Sequence, residues 1–506
     1  MKTVVIGLDG ACFEWIIRYL KKRRNKSSSA FVKIISQGSV GLLHSTLPPT
    51  TPPAWTTFLT GVNPKKHGIF NFFDVRSGKA LTIYHSVYPL LWEILEKHKV
   101  KNAFLWVPMT YPALKHKYSF IFAGFPYPET IRLHNLVSYS SIFAKLAKNV
   151  VYKYKKQILG ILEEAVHPAV NKFLTSICYR FTIIKWLASD PATDFIFAVI
   201  PETDHIWHYS NNERLGLRLY KKVDEQLNDL LNFLNEITHN NYRLFIVSDH
   251  GTSHLAYKGV FPNNILLEKG FLEIQKGKEQ EKILQLITNK IFSSHFGKWF
   301  LGILNMVIPF SLALKTYLRH RKSSTNIDFK KSKALFIHGP TSRFGKIIIK
   351  DPEIVKSVMT ILHNLYDNRK KIIKGILQIS DIYSGENSGN EFSYIVEFAP
   401  GYAVFDSITP LKPISRILKY YTHSKYGVFM AYGKGIKKGQ IGVVNIEQML
   451  PTLLASMKLP VPHYVEKKPI LTVFEKGGYY SIDLQISPIK IHLRRRIKLL
   501  KKLREL

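Results

Sequence analysis

Residues 3–10, TVVIGLDG, set the reading of this chain. Six uncharged residues run straight into Asp9 and Gly10. A continuous apolar run of that length fits a strand buried on both faces, as in a parallel sheet. The pattern returns twice. Phe195–His208, FIFAVIPETDHIWH, places Asp204 just beyond a second run, with His208 four residues on. Leu244–Gly251, LFIVSDHG, ends a third run in Asp249 and His250. Further strands are expected at Asn102–Trp106 and Val428–Tyr432, with helices between them at Tyr88–Lys97 and Leu215–Thr238. This alternation predicts an α/β fold with a mostly parallel sheet covered by helices on both faces.

In open α/β sheets, ligands bind beyond the carboxyl ends of the strands. Three aspartates would then converge on one edge, and like charges gathered there are costly unless a cation neutralises them. With two histidines added, the donors form a mixed oxygen and nitrogen set that suits Zn²⁺ and tolerates Mn²⁺. Taken one at a time, each aspartate also reads as a helix cap. Recurrence on three strands favours the shared site.

Ser45–Asp74 is the other informative stretch, STLPPTTPPAWTTFLTGVNPKKHGIFNFFD. Pro52 and Pro53 can begin a helix but cannot sit inside one. Thr51 is thereby placed at a helix N-terminus, beside backbone N–H groups and the positive end of the dipole. Either an alkoxide nucleophile or a capping threonine fits that position.

Several classes are excluded by composition. The chain has 506 residues, 46% of them hydrophobic, which argues against disorder, and its 2 cysteines rule out a disulfide scaffold. Domain organisation is expected as a core in two parts, 1–275 and 395–487. A cap at 276–394 is inserted between them, and a basic amphipathic tail follows at 488–506. A helical, Lys-rich insertion without a clear strand is expected at about 130–190. Asp9 interrupts the N-terminal apolar run too early for a signal peptide. The expected setting is therefore cytoplasmic and reducing. Trp299–Leu314 is the best membrane candidate, but it is short of the roughly 20 residues a span needs.

Together these motifs resemble the type I phosphodiesterase/nucleotide pyrophosphatase family of the alkaline phosphatase superfamily, in its prokaryotic branch. TTPPAWTTFLTGVNPKKHGIFNF (50–72) resembles the family's nucleophile motif, and LWEILEKHKVKNAFLWVPMTYP (91–112) its helix, strand and turn. GVFMAYGKGIKKGQIGVVNIEQMLPTLLASMKLPVP (427–462) resembles the stretch that closes the core. The resemblance implies an alkaline-phosphatase-like core and two divalent metal ions. Asp9, Thr51, Asp249 and His250 match the ligands of one ion, and Asp204, His208 and His423 those of the other. His254 and His463 are alternatives to His423. Thr51 is implied as the nucleophile of a phospho-threonine intermediate, with backbone N–H groups after it and Asn71 holding the phosphoryl oxygens. The implied substrate is a phosphorylated small molecule, a nucleotide or similar phosphodiester or pyrophosphate. Alternatives that keep the site are a phosphomonoesterase, a phosphonate hydrolase or a lipid-headgroup hydrolase. Neither Cys12 nor Cys178 lies in the C-x-P-x-R motif of sulfatases.

Lys and Arg total 72 against 36 Asp and Glu, a formal charge of +36. Basic residues cluster at Lys21–Lys26 and in the tail, where Leu493, Ile497, Leu500 and Leu503 recur at helical spacing. Such a helix can lie on an anionic membrane surface or dock its stripe on the core. No nucleic-acid-binding motif accompanies the charge. A non-catalytic basic protein bound to membrane or nucleic acid is the remaining alternative.

Overall fold

The computed structural model describes residues 1–25, 27–74, 77–127, 133–143, 170–191, 193–275, 327–338, 342–385, 392–409, 411–475, 480–483 and 486–504. Lys26 and the stretch Trp299–Leu314 lie outside them. No helix among the described residues is long and apolar enough to cross a membrane.

The three strands that end near aspartates are neighbours. Lys2–Leu8 is paired in parallel with Phe195–Ile200 on one side and Tyr242–Val247 on the other. They form the middle of a nine-stranded sheet. Beyond Phe195–Ile200 come Asn102–Val107, Ser119–Ala123 and the short edge strand Val137–Tyr139. Beyond Tyr242–Val247 come Tyr426–Gly433, Ser39–His44 and Gly439–Asn445. Five of the eight pairings are parallel. The expected mostly parallel α/β sheet is thus present. Its three central strands are buried almost end to end, so both faces are covered.

Sequence and structure part in a few places. The helix expected from Tyr88 starts at Leu91, because Leu90 is extended at the cap and Pro89 disfavours helical backbone at Tyr88. The 130–190 stretch includes Val137–Tyr139, which adds to the sheet edge by antiparallel pairing with Ser119–Ala123. Its three residues are too few to show a strand pattern.

A second, antiparallel sheet of four strands orders as Ile373–Gln378, Phe392–Phe398, Phe344–Ile349 and Ala334–His338. It has its own apolar cluster, which also draws in Val260, Leu266, Leu272 and Tyr402. The link between the two sheets is Gly251–Val260. This ten-residue strand leaves the DHG turn, and Ile414–Ser424 pairs with it antiparallel on the way back. A smaller cluster joins Phe344, Ile379, Tyr383 and Ile395 to Leu47 and Phe70, so the second sheet braces the segment around Thr51.

Asp224 organises the basic N-terminal cluster. It lies fully buried on the long helix Glu213–Thr238. Its carboxylate accepts from Tyr19 Oη (2.8 Å), Arg23 Nη1 (2.7 Å), Ser29 Oγ (3.0 Å) and the Phe31 amide (2.9 Å). Arg23 is therefore a structural cation rather than a solvated one. An Asp224→Ala variant leaves that cation unpaired, at a cost of about 3–5 kcal/mol. Its melting temperature should fall clearly below that of the parent. An unchanged melting temperature would contradict the assignment.

Candidate active site

Each carboxylate reaches the site from the end of a central strand. Asp9 follows Leu8 directly, Asp249 lies two residues past Val247, and Asp204 sits in the first turn of helix Glu202–Tyr209. All three are nearly or fully buried. Gly10 lets them meet. It adopts φ +63°, and a Cβ there would run into the Asp204 carboxylate. Its amide donates to Asp249 Oδ1 at 3.2 Å.

The histidines complete the cluster. His208 Nε2 is 2.6 Å from Asp204 Oδ2, one helical turn away. His250 Nε2 is 3.3 Å from Asp249 Oδ2 and 3.8 Å from Asp9 Oδ1. His423 arrives on the returning strand, where it pairs with Thr252 at a register shift. Its Nε2 lies 3.8 Å from Asp204 Oδ1 and 3.5 Å from His208 Nε2, and its ring stacks on His250 at 3.8 Å. The two alternatives lie elsewhere. His254 Nδ1 bonds the Ser253 hydroxyl at 2.7 Å, and His463 is exposed beside Tyr464.

Backbone carbonyls set the tautomers. His423 Nδ1 lies 3.0 Å from Pro49 O, and His250 Nδ1 lies 3.2 Å from Gly251 O. A carbonyl only accepts, so each Nδ1 carries the proton and each Nε2 turns a lone pair inward. Two imidazole lone pairs now face buried carboxylates. Asp9 Oδ1 and Asp249 Oδ2 are fully buried without a hydrogen-bond partner. Acceptors facing acceptors repel unless a cation lies among them. Two sets could hold one, Asp204, His208 and His423, and Asp9, Asp204 and His250, with ligand atoms within 4.8 Å of one another in each.

Electrostatics agree. Burial, with Asp249 and Asp204 alongside, holds the Asp9 carboxyl well above the usual carboxylate range. Burial also raises Asp249, against the pull of His250. Asp204 pays the same burial penalty, but His208, 2.6 Å away, leads the interactions that outweigh it and hold the group well below that range. Burial, with His250 next to it, pushes His423 well below its ordinary value.

Thr51 opens helix Thr51–Thr60, and its Oγ1 lies 3.4 Å from His250 Nε2. Thr50, not Thr51, occupies the capping position, and its side chain makes no capping bond. One expectation about this helix start needs correction. Pro52 and Pro53 carry no N–H, and the Ala54 amide donates to Thr50 O at 3.2 Å. The first turn therefore offers only the Thr51 amide, not a row of donors after it. The dipole remains. Asn71 lies on the segment after the short helix Pro64–His67, with its Oδ1 accepting the Phe72 amide at 2.8 Å.

Several supporting residues take their roles from partners in other elements. Trp55 Nε1 donates to Asp9 Oδ2 at 3.2 Å, one helical turn after Thr51. Thr252 Oγ1 donates to Asp204 Oδ1 at 3.0 Å, and Thr203 Oγ1 caps the Ile200 carbonyl at 2.9 Å. Glu202 anchors the Asp204 helix through Arg180 Nε (2.7 Å) and Ser176 Oγ (2.6 Å), both on helix Val170–Ser189. Of these, only Thr252 could have been marked in advance, as a hydroxyl just beyond the DHG turn.

Known proteins share this arrangement of sheet and helices. A murine ectonucleotide pyrophosphatase/phosphodiesterase 5, solved in an inactive form in complex with AMP, matches with a TM-score of 0.53 at 12% identity, over 94% of this chain and 100% of that one. A mutant of the alkaline phosphatase PafA matches with a TM-score of 0.54 at 13% identity, over 93% and 98%. The fold is that of the alkaline phosphatase class. The sequence model described as "Type I phosphodiesterase / nucleotide pyrophosphatase" matches residues 3–299, and the chain belongs to that family, among the phosphoryl hydrolases. Alkaline phosphatase PhoV of Synechococcus elongatus is 29% identical over 90 residues, a match that spans 17% of this chain and only 16% of that protein.

His67, of the HGI sequence, fastens the Thr51 helix. Its Nδ1 accepts the Ile69 amide (3.1 Å), so its Nε2–H faces Thr57 Oγ1 (3.0 Å). Burial pushes its pKa down to about 3. The unfolded chain, with a value near 6.5, binds this proton more readily. Its contribution is complete above about pH 6.5 and is lost progressively as pH falls toward about 3. Melting temperatures across that range should fall less steeply in His67→Gln than in the parent. Identical slopes would contradict this.

Proposed function

We propose that the chain hydrolyses phosphodiester or pyrophosphate bonds with Thr51 as nucleophile at a site for two divalent cations. The observation that carries this is the Thr51 hydroxyl 3.4 Å from His250 Nε2, at the rim of a buried cluster whose lone pairs need a cation. Asp9, Thr51, Asp249 and His250 would hold one ion, and Asp204, His208 and His423 the other. Their oxygen and imidazole donors suit Zn²⁺ and accept Mn²⁺. Bound there, the cations would supply Lewis acidity to the threonine hydroxyl and neutralise charge on the leaving oxygen.

The chain's own groups do the rest. The helix fixes Thr51 at the positive end of its dipole, so its oxygen faces the substrate phosphorus. The Oγ–P bond forms as the bond to the leaving oxygen breaks, and the threonine proton is released. Water then cleaves the phospho-threonine ester and regenerates the hydroxyl. The Thr51 amide and Asn71 are the donors proposed for the non-bridging oxygens. The pocket wall would come from the second sheet, which braces the loop through Tyr383 and Leu47 and sets Lys346 Nζ 4.2 Å from the Phe70 ring. AMP in the murine structure supports nucleotide substrates.

Acid quenching during turnover of bis(p-nitrophenyl) phosphate should trap a phosphoryl ester on Thr51, seen as a mass shift of that peptide. Thr51→Ala should lose activity on the order of 10³-fold or more. Full activity in that variant would refute the scheme. Faster turnover of p-nitrophenyl phosphate than of the diester would move the substrate class to monoesters.

A further inference from the structure

The helix Pro488–Arg504 docks by an unexpected face. Its anchor is Arg495, 1% exposed, which donates to Glu93 Oε1 (3.0 Å), Ser86 O (2.6 Å) and Tyr88 O (2.9 Å). His492 Nδ1 reaches Ser86 O at 3.0 Å, and Leu499 is buried beneath the helix. The aliphatic stripe is left outside. Ile489, Leu493, Ile497 and Leu500 are 73%, 56%, 55% and 55% exposed. At 3.6 residues per turn these four fall within an arc of about 80°. Lys490, Arg494 and Lys501 line one flank of that arc. Residues 488–504 include no acidic side chain.

Single exposed aliphatics need no explanation, but a continuous stripe along a helix does. A buried arginine makes the orientation firm, because turning the helix over would strand both Arg495 and Glu93. We infer that this helix is a docking surface for an anionic lipid bilayer. The stripe enters the boundary between headgroups and acyl chains, while the flanking cations meet lipid phosphates. Charge complementarity selects this occupant. A nucleic acid has no use for the aliphatic row, and a neutral apolar groove has none for the cations.

Co-sedimentation with vesicles tests it, with a readout that does not depend on catalysis. The protein should pellet with phosphatidylcholine vesicles containing phosphatidylglycerol and stay in solution with phosphatidylcholine alone. Binding should weaken as salt rises. Leu493→Gln/Ile497→Gln/Leu500→Gln should bind on the order of tenfold or more weakly. Neutralising Lys490, Arg494 or Lys501 singly should cost about fivefold each. All these side chains are exposed, so an unchanged melting temperature certifies the fold of each variant. Absence of vesicle binding, or equal binding by parent and variants, overturns the proposal. So does assembly of the protein into dimers through this stripe, or RNA binding that needs the same residues.

Discussion

Three buried carboxylates on adjacent strands govern this structure. Asp9, Asp204 and Asp249 leave neighbouring parallel strands at the same edge and are taken out of water together. Removing even one ion from water costs several kcal/mol. The surroundings read as an answer to that cost. Gly10 gives up a side chain so that Asp204 can approach, and its amide serves Asp249. Trp55 and Thr252 each give a hydrogen bond to one carboxylate. What stays unanswered, Asp9 Oδ1 and Asp249 Oδ2, faces His250 Nε2, which the Gly251 carbonyl has already fixed as an acceptor. That mismatch is what a divalent cation relieves.

The rest of the architecture serves this edge. The long strand Gly251–Val260 leaves it, and the paired strand Ile414–Ser424 returns with His423. The second sheet packs against Leu47 and Phe70 and so braces the segment around Thr51. The two prolines after Thr51 fix its backbone and also remove two N–H groups. In the proposed reaction the helix start would orient Thr51 and lend its dipole, but it cannot cradle a phosphoryl group with a row of amides.

Much of the site was legible, because its three carriers share one local pattern of apolar run followed by aspartate. His208 was legible from its helical spacing to Asp204. His423 was placed only through resemblance, since its position depends on strand pairing over more than 150 residues. Trp55, Glu202 and Arg180 were missed because their partners lie in other elements. The loss of donors at Pro52 and Pro53 could have been read directly from the residue types. In the tail the helical period was visible, yet the period alone could not say which face would dock. Arg495 decided that by pairing with Glu93. Arg23 and Arg495 are structural ions, each neutralised by an acidic partner, so the charge of +36 resides in other bases, among them the exposed Lys490, Arg494 and Lys501 of the tail.

Metal stoichiometry tests the central account most directly. Protein stripped with a chelator and then dialysed against Zn²⁺ should retain two equivalents per chain, and Asp204→Asn combined with His208→Gln should lower that number. Retention of no zinc, or a stoichiometry that these substitutions leave unchanged, would contradict the account.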